Sequence, residues 1–227
     1  MKIAAVCMFR DEADILGRCL NHWQTAGVDK FFLCDNGSKD DSAEIARHYD
    51  PEMITDTRTN WPGMEVINML TKRAIASGYD TIFPTDADEF INLGAYNSIR
   101  EWLNAHYPPV THYAAELRYL NILPNGSENW QEPHRKVFGR LNPAWTISPG
   151  NHLCKGVTAD AENYVYYKHY SIRNFEQFRR KMINYMEAFH QIKGWQEHPH
   201  AVDYYRWKAN GESFFEERYK QLTEWAQ

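Results

Sequence analysis

The sequence contains no long apolar segment. The 227 residues are 43% hydrophobic and 24% charged, and no run approaches the roughly 18 apolar residues that a membrane-spanning helix requires. The first apolar run has only seven residues before charge returns at Arg10 and Asp11. A secretory signal needs a longer apolar region followed by a small-residue cleavage site. We therefore expect a cytoplasmic protein, and association with the inner face of a membrane through partners stays open.

The sequence also lacks an excess of positive charge and a cysteine motif. Its 25 Lys and Arg residues are outnumbered by 30 Asp and Glu residues, for a net charge of −5. Nucleic-acid binding normally requires a basic surface, so no nucleic-acid partner is expected. No C-x-x-C pair occurs, which argues against a cysteine zinc site and a disulfide framework. We interpret the four cysteines as small buried hydrophobic residues: Cys7, Cys19, Cys34 and Cys154.

Two common nucleotide-binding motifs are missing as well. No G-x-G-x-x-G follows the first apolar run, and no G-x-x-x-x-G-K-[ST] occurs. Their absence argues against a dinucleotide-dependent dehydrogenase and a Walker-type nucleotide triphosphatase. Aromatic residues, by contrast, make up 15% of the chain and are concentrated between Tyr164 and Trp225.

The first ninety residues alternate between strand and helix patterns. Residues 2–9, which are apolar from Ile3 onward, and the apolar residues 31–34 are expected to be strands buried on both faces. Between them, apolar residues recur at three- and four-residue spacing from Ile15 to Trp23, which predicts an amphipathic helix. Residues 81–85 read as a further strand, although Pro84 argues against a central position in a sheet. This alternation predicts an α/β fold with a mostly parallel sheet flanked by helices.

The pattern changes near residue 120. Residues 174–192 and 203–222 are predicted to be helical and carry many aromatic side chains. We therefore divide the chain into a first half, 1–120, that carries the strand–helix alternation, and a second half with C-terminal helices, 121–227, within one continuous domain. The C-terminal aromatic residues could form a sugar-binding groove or simply the core of packed helices.

Polar clusters follow three of the predicted strands. They are Arg10-Asp11-Glu12, Asp35-Asn36-Gly37-Ser38 and Asp86-Ala87-Asp88-Glu89. Each cluster alone is typical of a helix cap or a solvated turn. Ligands of parallel α/β sheets bind at the carboxyl ends of the strands, so three such clusters together predict a binding site there.

The pair Asp86 and Asp88 has the chemistry of a divalent-cation site. Two carboxylates separated by one residue can hold one ion and leave room for diphosphate oxygens. Hard carboxylate oxygens suit Mg²⁺ or Mn²⁺ better than zinc. Such an ion would act as a Lewis acid toward a diphosphate leaving group.

Several segments resemble motifs of the family 2-like glycosyltransferases. Residues 3–16 (IAAVCMFRDEADIL) resemble the opening strand and helix, and residues 33–40 (LCDNGSKD) resemble the second-strand motif VDDGSTD. Residues 85–90 (TDADEF) resemble the D-x-D motif in the D-x-D-E-F form of a small-domain branch. The segment HWQTAGVD, residues 22–29, is similar to the same branch. The resemblance covers residues 1 to about 93 and continues weakly at residues 168–170.

The resemblance implies a GT-A fold, a nucleotide-diphospho-sugar donor and a divalent metal, Mn²⁺ or Mg²⁺. It makes residues 1–120 the nucleotide-sugar-binding half and residues 121–227 the acceptor-side half. Asp35 would bind the nucleotide base, Asp86 would face the ribose or diphosphate, and Asp88 would coordinate the metal together with Asp86. A late histidine would complete the metal shell, with His169 as the first candidate and His152 as the second. The remaining donor-binding residues implied by the resemblance are Met8, Phe9, Arg10, Glu12 and Ala87.

An inverting sugar transfer also needs a general base for the acceptor hydroxyl. The resemblance places it after the D-x-D motif, but no Glu-Asp pair of the usual kind occurs after residue 90. The stereochemistry therefore stays open, and the candidate bases are Glu116, Glu128, Glu132, Asp160 and Glu162.

The resulting hypothesis is a metal-dependent glycosyltransferase that acts on a glycan or lipid-linked saccharide acceptor. One alternative is a nucleotidyltransferase, although the glycine-rich phosphate loop usual in that class is missing after the first strand. The other alternative is a catalytically silent sugar- or nucleotide-binding module in polysaccharide biosynthesis.

Overall fold

The structure, a computed structural model, describes residues 1–60, 62–107, 115–147, 159–160, 165–191 and 199–224. Two compact units are present. The first comprises residues 1–57, 63–120 and 130–169, and the second comprises residues 58–62, 121–129 and 170–227. No helix in the described part of the chain is both long and apolar enough to cross a membrane.

The first unit begins with a parallel sheet. Its strands are β1 (Ile3–Phe9), β2 (Lys30–Asp35), β3 (Glu52–Thr55) and β4 (Thr81–Pro84), in the order β3-β2-β1-β4. All three pairings are parallel. The helices between these strands are α1 (Leu16–Ala26), α2 (Ser42–Arg47) and α3 (Gly63–Ala76). The predicted alternation of strands and helices is therefore confirmed.

Side chains of β1 alternate between two apolar cores, one on each face of this sheet. Ile3 and Ala5 belong to a core that includes Trp23 of α1. Ala4 and Val6 belong to a second core that includes Leu70 of α3. A strand covered on both faces must be apolar at every position, which explains the continuous run that predicts it.

A second sheet completes the first unit. Its strands are β5 (Glu89–Asn92), β6 (Ala115–Ile122), β7 (Glu128–Phe138), β8 (Ala159–Asp160) and β9 (Tyr166–His169). Their order is β5-β9-β6-β7, with β8 paired to β6, and β5 runs antiparallel to β9. Helix α4 (Ile99–His106) follows β5, and the Ser98 side chain caps it by accepting a hydrogen bond from the Glu101 N–H.

Pro84 lies in the strand at one end of the parallel sheet. The Ile82 N–H points away from β1 and donates to the Gly139 carbonyl over 2.8 Å. Because alternate residues of a strand point the same way, the Pro84 nitrogen also faces away from β1. The missing N–H therefore removes no bond from the β1–β4 ladder, in agreement with the expectation that proline marks a non-central strand.

The second unit contains α5 (Phe175–His190), α6 (Pro199–Asn210) and α7 (Ser213–Glu224). The sequence pattern predicts one helix over residues 203–222, and this prediction is wrong because Gly211 adopts a left-handed conformation with φ of 61°. Glycine ends helices in this conformation at little cost. Many of the aromatic residues form the core of these helices, among them Phe175, Tyr204, Trp207, Phe214 and Phe215.

Candidate functional site

The loop after β1 is tied to the loop after β2 by hydrogen bonds. Asp11 has φ of 54°, in the left-handed region that Asp tolerates better than most residues. Its N–H donates to Ser38 Oγ over 3.1 Å, and its Oδ1 accepts from the Lys39 N–H over 2.7 Å. The two polar clusters predicted from strands β1 and β2 are therefore brought together.

Asp35 ends β2 and is only 7% exposed. Its Oδ1 accepts a hydrogen bond from the Ser38 N–H over 2.9 Å, and its carbonyl accepts from the Asp56 N–H. Gly37 makes the intervening turn with φ of 73°, a conformation that strongly favours glycine. The carboxylate is thus held at the carboxyl end of the strand, as the sequence predicts.

A second set of contacts holds the start of α1 against the start of α2. Ser42 is fully buried, and its Oγ accepts from the Glu12 N–H over 2.8 Å. The Asp40 carboxylate accepts from the Ala13 N–H and from Ser42. The Glu12 carbonyl accepts from the N–H groups of Ile15 and of Leu16, the first residue of α1. These bonds fix the backbone at the rim of the site.

The third polar cluster forms a turn stabilised by Glu89. This residue is fully buried, and its Oε2 accepts from the Asp86 N–H over 2.9 Å. Its own N–H donates to the Asp86 carbonyl over 3.2 Å. The Glu89 carbonyl accepts from the indole N–H of Trp23 over 2.9 Å. Side chain and backbone of Glu89 therefore set the conformation of the two aspartates before it.

Lys136 of β7 contributes a buried ammonium group to this turn. Its Nζ lies 2.7 Å from Asp86 Oδ2 and 3.0 Å from Glu89 Oε1. The side chains of Lys136 and Glu89 are 1% and 0% exposed, whereas that of Asp86 is 45% exposed. From the sequence alone, Lys136 could contact a diphosphate or, by default, be a solvated surface residue. The structure corrects the surface interpretation: Lys136 is buried, and two carboxylates offset the cost of burying its ammonium.

Asp88 lies next to His169, the last residue of β9. Asp88 is 2% exposed, and its Oδ1 lies 3.4 Å from His169 Nε2. The antiparallel register pairs Glu89 with His169, which explains how a residue 81 positions along the chain reaches this turn. The structure therefore brings together the aspartate and the histidine named as candidate metal ligands.

The chemistry of these residues suits a divalent cation that a diphosphate also binds. The 3.4 Å distance between the Asp88 carboxylate oxygen and the His169 imidazole nitrogen is close to the distance between neighbouring ligand atoms around an octahedral ion, about 3 Å. Among the described residues, no group of three or more His, Cys, Asp and Glu side chains could hold an ion by itself. Mg²⁺ commonly binds through one or two carboxylates and completes its shell with phosphate oxygens and water.

Burial dominates the electrostatics of this region. It raises the pKa of Glu89, and the nearby Asp86 carboxylate raises it further, while Lys136 opposes the change. Burial also raises the pKa of Tyr167 and of the Cys7 and Cys19 thiols well above their ordinary values. Both thiols therefore stay protonated at neutral pH, which fits their interpretation as buried apolar residues.

The predicted donor-binding residues differ in their surroundings. Phe9 and Ala87 are 3% and 5% exposed and pack in the apolar core. Met8 is partly buried, and the Arg10 Nε lies 3.8 Å from Asp11 Oδ2. Of the three acidic members of the set, Asp35 ends β2, whereas Glu12 and Asp86 lie in the loops that follow β1 and β4.

The candidate bases are described to different extents. Glu116 is half-buried in β6, and the backbone register places it opposite Asp160 of β8. Glu132 lies within β7, and Glu128 is exposed at its start. His152 and Glu162 lie outside the described residues.

Sequence reasoning missed the ion pairs of Lys136 with Asp86 and Glu89, and the structural part played by Glu89. Glu89 carries a recognisable signal, since it directly follows the aspartate pair in the D-x-D-E-F segment. Lys136 carries no comparable local signal, because its partner Asp86 is 50 residues away along the chain.

Comparison with known proteins supports the fold. No protein-family profile and no curated protein matches the sequence. Among solved structures, S. aureus TarS 1-349 aligns over 94% of this chain and 73% of its own, with a TM-score of 0.52 and 13% identity. TarS 1-349 in complex with UDP-GlcNAc aligns over 94% and 74%, with a TM-score of 0.52 and 12% identity. The fold is of the GT-A type, as the motif resemblance implies.

Proposed function

We propose that this protein is a divalent-metal-dependent glycosyltransferase that moves a sugar from a nucleotide-diphospho-sugar to a glycan or lipid-linked saccharide. One observation carries the proposal. At the carboxyl ends of β1, β2 and β4, the GT-A sheet presents Asp11, Asp35 and the Asp86–Asp88 turn, with His169 at 3.4 Å from Asp88. This is the edge of the sheet at which parallel α/β proteins bind their ligands.

The donor is proposed to be a uridine nucleotide sugar. The S. aureus TarS 1-349 structures that share this fold were obtained with UDP-GlcNAc and with UDP. In our proposal Asp35 recognises the base, and Asp86 faces the ribose or diphosphate. The other donor-binding residues in the proposal are Met8, Phe9, Arg10, Glu12 and Ala87.

Asp88 and His169 are proposed to hold Mn²⁺ or Mg²⁺. When bound, such an ion supplies Lewis-acid stabilisation of the diphosphate leaving group. The protein contributes the Asp88 carboxylate, directly before β5, and the His169 imidazole at the end of β9. The antiparallel pairing of β5 with β9 brings these two groups together. A second histidine, His152, is a further candidate ligand outside the described residues.

The acceptor is proposed to bind the half of the chain that begins at residue 121. The general base for its hydroxyl remains a choice among Glu116, Glu132 and Asp160. The backbone register places two of these candidates, Glu116 and Asp160, opposite each other in neighbouring parallel strands. A base must come within about 3 Å of the hydroxyl from which it takes the proton.

The first test is thermal stabilisation by a panel of nucleotides and nucleotide sugars, with and without Mn²⁺. A ligand at 100 times its Kd stabilises the folded state by about 2.7 kcal/mol. We expect a nucleoside diphosphate or its sugar to raise the Tm only when Mn²⁺ is present. Release of the sugar from the same donor, measured with and without glycan acceptors, then separates a transferase from a silent binding module. No stabilisation by any nucleotide would contradict the proposed donor class.

A further inference from the structure

Lys136 joins two of the three carboxylates in the Asp86–Glu89 turn. Its ammonium lies 2.7 Å from Asp86 and 3.0 Å from Glu89, and its side chain is 1% exposed. Moving an ammonium group into a protein interior is costly unless opposite charges accompany it. Salt therefore screens these buried and partly buried ion pairs much less than it would an exposed contact.

The same contacts restrict Asp86 at two points. Its Oδ2 is the acceptor for the Lys136 ammonium, and its backbone N–H donates to Glu89 Oε2 over 2.9 Å. Asp88 has a different neighbour, because its Oδ1 lies 3.4 Å from His169 Nε2. The two aspartates thus have different partners: Asp86 contacts the Lys136 ammonium, and Asp88 contacts the His169 imidazole, a side chain that commonly binds metals.

We propose that Lys136 is a positioning residue that holds Asp86 out of the metal shell, so that Asp88 and His169 bind the ion without it. This inference rests on the proposed function for the identity of the ion. Cation affinity rises with the number of carboxylates that surround the ion. By neutralising Asp86, Lys136 keeps the affinity for the metal alone low, and the ion binds tightly only when a diphosphate supplies the remaining oxygens.

The test measures the affinity for Mn²⁺ by electron paramagnetic resonance, with the metal as the only ligand. Lys136→Met alone would leave the Glu89 carboxylate buried without its cation, so the variant to use is Lys136→Met combined with Glu89→Gln. The glutamine keeps an oxygen for the Asp86 N–H. This double variant removes one positive and one negative charge and leaves the net charge of the cluster unchanged. We expect it to bind Mn²⁺ at least about tenfold more tightly than the unmodified protein.

Adding Asp86→Asn to the double variant distinguishes positioning from a general electrostatic effect. We expect the gain in Mn²⁺ affinity to disappear, because it depends on the Asp86 carboxylate. In the unmodified background Asp86→Asn should change Mn²⁺ affinity less than about threefold. Lys72→Met on α3 removes an exposed lysine of the same unit and should leave Mn²⁺ affinity unchanged.

The proposal is overturned if the double variant binds Mn²⁺ no better than the unmodified protein, or if its gain persists with Asp86→Asn. Either result is informative even when the unmodified protein binds the metal alone too weakly to detect. Failure of the proposed function is seen separately, as the lack of any melting shift with nucleotides and Mn²⁺ in the unmodified protein.

Discussion

The indole N–H of Trp23 donates a hydrogen bond to the carbonyl oxygen of Glu89 over 2.9 Å, deep in the core of the first unit. This bond connects helix α1 to the turn that carries both aspartates of the candidate site. Cys19 of the same helix also directs its Sγ at the Glu89 carbonyl, at 3.3 Å. Helix α1 therefore holds the turn on its buried side, and the Glu89 carboxylate holds it from within by its bond to the Asp86 N–H.

Trp23→Phe should destabilise the protein by about 2–3 kcal/mol, because it leaves a cavity and removes the donor to a buried carbonyl. Chemical denaturation measures this cost. Trp102→Phe, a buried residue of α4 in the same core, is the matched control for volume. We expect only the Trp23 variant to weaken UDP binding in the presence of Mn²⁺. Equal UDP affinity in the two variants would contradict the connection between α1 and the turn.

Asp88→Asn should abolish the Mn²⁺-dependent melting shift produced by UDP while the free protein keeps its fold. The amide preserves the shape of the side chain but removes the charge that the ion requires. Differential scanning fluorimetry with UDP, with and without Mn²⁺, checks the expectation. Asp14→Asn, at an exposed position before α1, is the control. A full UDP shift in Asp88→Asn would show that the metal ligands lie elsewhere.

Asp11→Ala should cost about 2 kcal/mol, whereas Asp11→Asn should be nearly neutral. The residue has φ of 54°, which alanine tolerates poorly, and its side chain accepts from the Lys39 N–H. Asparagine retains both the backbone tolerance and an acceptor oxygen. Urea denaturation of the two variants compares them directly. An alanine variant as stable as the asparagine variant would mean that the left-handed conformation carries no strain.

His22→Gln should make the stability less sensitive to acid. Burial lowers the pKa of His22 from 6.5, and the hydrogen bond from Nε2 to the Ile91 carbonyl only partly opposes this. A lowered pKa means that the contribution of His22 to stability is present above pH 6.5 and is lost as the pH falls through the folded-state value. Glutamine keeps a donor for Ile91 and does not titrate.

The measurement for His22 is the free energy of unfolding between pH 7.5 and pH 4.5. The difference in free energy of unfolding between the unmodified protein and His22→Gln should shrink, or reverse, as the pH falls toward 4.5. His48→Gln, at an exposed histidine that ends α2, controls for histidine removal. Parallel pH profiles for the unmodified protein and His22→Gln would contradict the effect of burial.

Lys136→Met should destabilise the protein by about 3–5 kcal/mol, since it leaves the Glu89 carboxylate buried without its ion pair. Adding Glu89→Gln should recover most of that loss, because the second charge is removed as well. A double-mutant cycle in urea measures the coupling between the two side chains. Additive losses in the two single variants would argue against a direct interaction.

Elements with local signals could be predicted from the sequence. The apolar run of β1 and the helical spacing of α1 are explained by two cores on opposite faces of one sheet. The polar ends of β1, β2 and β4 meet at one edge because those strands are parallel neighbours. The alternation of strands and helices was therefore enough to predict that Asp35, Asp86 and Asp88 lie at the same edge of the sheet.

Other parts of the site depend on contacts between distant segments. Lys136 looks like any surface lysine until β7 brings it to Asp86. The break between α6 and α7 depends on a single glycine in a stretch that is otherwise helical. Neither feature repeats with the period of a helix or strand, so hydrophobic patterning carries no information about it.

Pro84 also bears on self-association. Within the described part of the chain, the outer side of β4 pairs only through the Ile82–Gly139 bridge, and such edges are templates on which another chain can add a strand. A proline there offers no N–H to an incoming strand and so discourages intermolecular pairing. All four residues of β4 are buried in the folded protein, so the proline also leaves no unsatisfied N–H at this buried position.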